Sequence, residues 1–219
     1  SAEAKRLLSL MGETLDAEPV RRYSVELSRS RGLQNERVVE EATETVTIDR
    51  RGRVAIRAES GSQWRGFWYD GSVATRYSSA DGAYVRIPAS LSADEALGSS
   101  NPNGESRTSI HDFLRGDFHE NVLPRFRSGK GVETGVPVGG DPCPVIELHN
   151  SGETVRLYLA EEDGYAPRKV QVRRWDDPGE PEILAVLRPE SPPDEIQTSD
   201  FRFEPPEEGA APGARVVGE

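Results

Sequence analysis

From Arg21 onward the hydrophobic period of this chain is two, and it stays two through most of the remaining sequence. Tyr23, Val25 and Leu27 alternate with Arg22, Ser24, Glu26 and Ser28. A residue every second position on one side is the mark of a strand with one covered face. Gly32 marks a turn, and a Val- and Thr-rich strand runs from Val38 to Ile48. Arg50-Arg51-Gly52 turns the chain again into Val54, Ile56 and Ala58. Connections this short cannot hold a helical crossover, so neighbouring strands must run antiparallel. The aromatic run Trp64-Arg65-Gly66-Phe67-Trp68-Tyr69 leads into Asp70-Gly71, the pair that suits a type I′ hairpin, with Val73, Thr75 and Tyr77 returning. Asp81-Gly82 makes a further hairpin into Tyr84–Pro88.

The pattern lapses between Ser90 and Lys130. Ser92-Ala93-Asp94-Glu95 reads as a capping box opening a short helix to Leu97, and Ser109–Leu114 as another helical piece. Strands resume at Val132–Val138, Cys143–Leu148, Val155–Leu159, Pro167–Val172 and Ile183–Leu187. Ser151-Gly152 and Asp163-Gly164 supply the turns between them. Phe201-Arg202-Phe203-Glu204 alternates once more and is expected to be a terminal strand, stopped by Pro205-Pro206, which cannot donate to a ladder. Ahead of all these strands, Ala4, Leu7, Leu8, Met11 and Leu15 recur at helical spacing, predicting a helix from about Ala2 to Ala17 that packs on a sheet. Its few basic residues are matched by carboxylates, which disfavours a membrane-surface role.

With 35% hydrophobic and 30% charged residues, the chain has little apolar material for a sheet buried on both sides. A net charge of −11 disfavours nucleic acid and anionic lipid headgroups as average partners, although a local basic patch is compatible with it. The lone Cys143 allows no intrachain disulfide; between Pro142 and Pro144 in an apolar stretch it reads as an inert core thiol. No run approaches the ~20 apolar residues of a membrane span. His111, Asp112, Asp117, His119 and Glu120 form the one polar cluster with possible chemistry, but their spacing matches no metal motif. A solvated surface is expected there, with no metal, no cofactor and no catalytic residue. Phosphate-binding loops, dinucleotide fingerprints, nucleophile elbows and CxxC pairs are all missing from the sequence.

Several of these passages resemble the LolA/LolB-like periplasmic lipoprotein-carrier superfamily, and within it a predicted periplasmic family of unknown function related to LolA. The resemblance rests on Tyr69-Asp70-Gly71-Ser72-Val73 with Tyr84 and Pro88 after it, and on the closing Phe201-Arg202-Phe203-Glu204-Pro205-Pro206 with Gly209. It continues through the core strand holding Cys143, the strand ending near Tyr158 (where the family often has tryptophan), and the turn before Pro167 and Arg168. It implies an α+β fold: a strongly curved antiparallel sheet, an unclosed barrel, with an N-terminal helix and a helical insert covering its concave face. Residues 1–206 would form that half-barrel domain and residues 207–219 a flexible Gly/Ala/Pro/Glu tail. The implied function is a non-enzymatic periplasmic binding or carrier domain for a lipoprotein acyl chain or other hydrophobic ligand, with a leader or lipid anchor removed from the chain. The alternative is an envelope protein-interaction or sensor module without bound lipid; an envelope protein partner and a monomeric state fit either. One helix and a short insert carry too little apolar surface to fill a wide sheet, so an apolar cavity is expected. Trp64, Phe67, Trp68 and Tyr84 would line it, with Leu8 and Met11 from the helix.

Overall fold

The computed structural model describes residues 1–33, 36–87, 108–116, 118–174, 182–191 and 196–204. The expected helix Ser92–Leu97, Asp117, Pro192-Pro193 and the tail 207–219 lie outside them. Among the described residues one α-helix, α1 (Ala2–Ala17), precedes eleven strands. They are β1 (Val20–Leu33), β2 (Glu36–Asp49), β3 (Val54–Ser60), β4 (Gln63–Tyr69), β5 (Ala74–Ser78), β6 (Ala83–Ile87), β7 (Ser128–Val138), β8 (Asp141–His149), β9 (Glu153–Ala160), β10 (Ala166–Arg174) and β11 (Glu182–Glu190). Short helical turns at Ile110–Leu114, Phe118–Val122 and Leu123–Arg125 fall between β6 and β7. The strands form one sheet in the order β6-β5-β4-β3-β2-β1-β11-β10-β9-β8-β7, so β6 and β7 are its ends and the sheet is unclosed. Every pair with a defined register is antiparallel. The expected α+β class with an unclosed antiparallel sheet is therefore what forms, because nearly every connection is a hairpin.

The chain groups into two compact units, the first comprising Ser1–Pro19, Val25–Glu41 and Thr108–Arg188. Its core face comes from register: Ile146, Leu157, Val170 and Ala185 stand opposite one another across β8–β11, and Leu148, Val155, Val172 and Ile183 form the next row. Helix α1 packs against β7, β10 and the Phe118–Val122 turn. Its buried stripe is Ala4, Leu7, Leu8, Met11 and Leu15, the residues that the 3.6 period singles out. Each large side chain of that stripe contributes roughly 1.5–3 kcal/mol when fully covered. Ser1 caps the helix by accepting from the Ala4 amide at 3.3 Å, and its amine donates to the Gly129 carbonyl at 2.7 Å. Gly12 is the one glycine within the buried stripe: a β-carbon there would overlap the His119 ring, which hydrogen-bonds through Nε2 to the Leu8 carbonyl at 2.9 Å. The Ile110–Leu114 turn forms as expected near Ser109–Leu114, closed by a capping box between Ser109 and Asp112. It buries Phe113 against Phe118 at a ring separation of 5.7 Å.

The second unit comprises Val20–Ser24, Ala42–Arg107 and Pro189–Glu219. Val46, Ile56 and Phe67 line up across β2–β4, with Ile48 and Val54 beside them; all are buried. Two expectations are corrected in this unit. The Asp70-Gly71 turn is not a two-residue type I′ turn. Tyr69 pairs with Ala74, leaving four residues in the loop, and Gly71 has φ 93° while Asp70 does not have a positive φ. The Asp70 carboxylate takes over the work of a tight backbone turn, accepting from the Ser72 and Val73 amides at 2.9 Å each and from the Ser72 hydroxyl at 2.7 Å. Nor is Phe201–Glu204 a strand. Thr198–Phe201 is a 3-10 turn held by the Asp200 carboxylate on the Gln197 amide at 2.7 Å, and the Arg202 amide donates to the Ser199 carbonyl at 3.0 Å. Phe201 and Phe203 are nonetheless buried, at 0% and 9% exposure, and Arg202 and Glu204 exposed. The alternation is real, but it belongs to a segment laid on a sheet.

Candidate ligand-binding surface

Alternation along β4 sends Trp64, Gly66 and Trp68 to one face and Phe67 to the other. Register adds neighbours to the tryptophan face: Thr75 opposite Trp68, Tyr77 opposite Gly66, and Tyr84 opposite Tyr77. Gly66 is needed there because any β-carbon would overlap the Trp68 ring, which lies across it. Trp64 meets Trp68 edge to face with centroids 6.2 Å apart, and Tyr77 at 4.5 Å. Phe203 joins the group, its ring 5.0 Å from Trp68, 5.1 Å from Tyr77 and 5.3 Å from Tyr84. Five aromatic side chains thus form one shelf, on which Trp64, Trp68 and Tyr84 remain half-buried. The Arg57 guanidinium lies over Trp64 at 4.5 Å and that of Arg86 over Tyr84 at 5.7 Å, both within cation–π reach.

The segment carrying Phe203 is tied to the hairpin loop by Arg202, whose Nε donates to Asp70 Oδ2 at 2.9 Å. Burial alone would push the Asp70 carboxyl up. The hydrogen bonds from Ser72, Val73 and Arg202 outweigh it and hold its pKa down at about 2. Arg53 braces the same segment, donating to Thr198 Oγ1 at 3.1 Å and lying over the Phe201 ring at 4.6 Å.

Of the residues expected to line a cavity, the fold brings Trp64, Trp68 and Tyr84 together. Phe67 points away from them, buried between Ile56 and Arg76 in register. Leu8 and Met11 belong to the first unit, where they are 3% and 0% exposed in the stripe of α1. Tyr77 and Phe203 were not singled out for the site. Phe203 could have been, since an aromatic pair before Pro205-Pro206 signals a segment that must pack on something.

Three members of the polar cluster, His111, Asp112 and His119, are engaged by the fold. His111 Nδ1 pairs with Ser109 Oγ at 2.8 Å. Asp112 accepts from the Ser109 amide at 2.9 Å and from Arg125 at 3.2 Å, while His119 serves α1. Among the described residues no three His, Cys, Asp or Glu side chains come together as metal ligands would. Burial, with the Asp141 carboxylate nearby, pushes the Cys143 thiol up, the opposite of what an activated nucleophile requires. No helix among the described residues is long and apolar enough to cross a membrane.

Comparison with known proteins finds a family model described as "Predicted periplasmic protein (DUF2092)" that matches residues 4–211. The periplasmic expectation is borne out by that description. Among solved structures, the chain is similar to LprF from Mycobacterium bovis, with 10% identity, 86% of this chain and 92% of that one covered, and a TM-score of 0.48. It is similar to a putative outer membrane lipoprotein-sorting protein domain from Vibrio parahaemolyticus, with 11% identity, 90% and 97% covered, and a TM-score of 0.45. A LolA superfamily protein from Nitrosomonas europaea, with 12% identity, 91% and 97% covered, and a TM-score of 0.39, is a further neighbour. No curated protein sequence matches the chain.

Proposed function

The chain belongs to the DUF2092 family of predicted periplasmic proteins, and from that premise we propose that it is a non-enzymatic binding or carrier protein for a hydrophobic ligand, such as the acyl chain of a lipid or lipoprotein. The observation that supports this reading is the shelf of Trp64, Trp68, Tyr77, Tyr84 and Phe203, in which three large aromatic side chains are only half-covered. An acyl chain laid on such a surface loses water from both partners, and each methylene fully buried is worth about 0.8 kcal/mol. Affinity should therefore climb with chain length. We assign direct contact to Trp64, Trp68 and Tyr84. Phe67, Leu8 and Met11 are already covered by the protein and would meet a ligand only where that packing opens. The functional domain under this proposal is residues 1–206, with 207–219 as a tail.

Two of the three tryptophans sit in the shelf, so emission is the natural readout. A series of fatty acids of rising length should change it saturably and raise Tm, since a ligand that binds the folded state stabilises it. Trp68→Ala should weaken uptake while the protein still melts cooperatively. If emission and Tm stay flat across the series, the carrier reading falls, and an envelope interaction or sensor module takes its place.

A further inference from the structure

We propose that the ligand of the aromatic shelf is an anionic amphiphile, with its charged head held at Arg86 and its tail on Trp68 and Trp64. This deepens the reading of the shelf as a ligand surface and rests on it. Register lays out what surrounds the rings. Ala55, Trp68, Thr75 and Arg86 stand side by side across β3–β6, and Arg57, Gly66, Tyr77 and Tyr84 form the next row. Glu59 stands opposite Trp64 in the row beyond. Alternation puts all three rows on one face of the sheet. The charges that β3–β6 carry on that face are therefore two arginines and one glutamate, in a chain whose formal net charge is −11.

The two arginines are not equivalent. Arg57 lies over Trp64 at 4.5 Å, but its Nε donates to Glu59 Oε1 at 2.9 Å, so its charge is already answered. Arg86 is exposed and lies over the Tyr84 ring at 5.7 Å, and among the described residues no carboxylate pairs with it. A ring attracts the cation through its charge and leaves the N–H donors free, and a carboxylate or phosphate can take two of them at once. Trp68 lies two strands from Arg86 in the same row, roughly 10 Å at the usual strand spacing, so one molecule can reach both.

An anionic head gains a charge-assisted contact at Arg86 that a neutral head on the same tail does not, and a cationic head would be repelled. Carboxylate and phosphate share this chemistry. The acidic remainder of the chain repels an anion, so the local charge also sets which way round the amphiphile lies. The tail adds the apolar contact already assigned to the tryptophans.

The experiment follows tryptophan emission while dodecanoate, dodecyl phosphate or dodecanol, which share one alkyl chain, is titrated into the whole protein below the onset of micelles. In the parent both anions are expected to bind about fivefold more tightly than the alcohol, the upper end for an exposed charge pair, and high salt should narrow the gap. The tighter of the two anions identifies the head as carboxylate or phosphate. Arg86→Gln should remove the gap by weakening the anions while dodecanol binds as before, with Tm close to the parent's because the side chain is exposed. Arg65→Gln takes the same charge from the opposite face of β4 and should keep the gap. If dodecanol binds the parent as tightly as the anions, if Arg86→Gln keeps the gap, or if Arg65→Gln loses it equally, the anionic head is overturned while the carrier reading stands. If none of the three ligands changes emission, the carrier reading itself falls and this assignment falls with it.

Discussion

Replacing Asp70 by Asn tests the idea that a charged carboxylate holds both the β4–β5 loop and the segment bearing Phe203. Asn keeps the side-chain oxygen that accepts from Ser72 and Val73 but loses the charge that Arg202 answers. The carboxyl's ordinary value of 3.8 falls to about 2 in the fold. A shift of that size corresponds to about 2.5 kcal/mol of stability at neutral pH. The Asp70 side chain is only 9% exposed, so solvent screens this little; Arg202, at 61%, supplies the smaller share. Because the folded pKa is depressed, the stabilisation is fully present above the unfolded value and is lost as pH falls through the folded one. About half should remain near pH 3 and a few tenths of a kcal/mol at pH 2. For a chain of 219 residues unfolding as one unit, about 2.5 kcal/mol is about 5 °C in Tm. Urea melts of both proteins from pH 7 down to pH 2 give the difference directly, and pairing the variant with the parent cancels the titration of every other group. A difference that stays constant over that range, or one below about 0.5 kcal/mol at pH 7, refutes the reasoning.

Phe203→Ala removes a ring that touches three others and should cost about 3–5 kcal/mol; a denaturant melt showing under about 0.5 kcal/mol would mean the segment is not seated on the shelf. Gly12→Ala should destabilise, although alanine normally improves a helix by about 1 kcal/mol, because the new methyl meets the His119 ring. In a His119→Ala background the same change should become neutral or stabilising. Thermal melts of the four proteins close that cycle, and a penalty that persists without the imidazole would place the clash elsewhere.

The strands were legible because period two survives wherever one face is covered, and because Gly52, Gly82 and Gly164 mark turns with positive φ. The helix was legible for the same reason at its own period. What misled was local pattern with more than one cause. Phe201 and Phe203 alternate with charged neighbours whether they sit in a ladder or lie across one, and the 3-10 turn before them is set by Asp200 reaching back to Gln197. Asp70-Gly71 looked like a two-residue turn, although the next residue, Ser72, offers an amide and a hydroxyl to the same carboxylate. Tyr77 joined the shelf through register with Gly66, which one strand's sequence does not contain. His119 could be seen as polar, but its partner, the Leu8 carbonyl, is 111 positions away, and only the fold brings the two together.

The strand order has a consequence for how the chain reaches its native state. Strands β1 and β11 are adjacent in the sheet, although about two thirds of the sequence lies between them, while β6 and β7, consecutive among the described strands, occupy the two ends. Each arm can zip up hairpin by hairpin at little loop-closure cost, but the β1–β11 seam must join segments about 150 residues apart. That seam carries its own cross-strand ion pairs, Arg188 with Glu26 at 2.8 Å and Arg22 with Glu190 at 3.1 Å. It is the natural late step of folding. Because β6 and β7 are not neighbours in the sheet, a chain cut between them would keep every strand neighbour, and its two pieces would have the same seam along which to find one another.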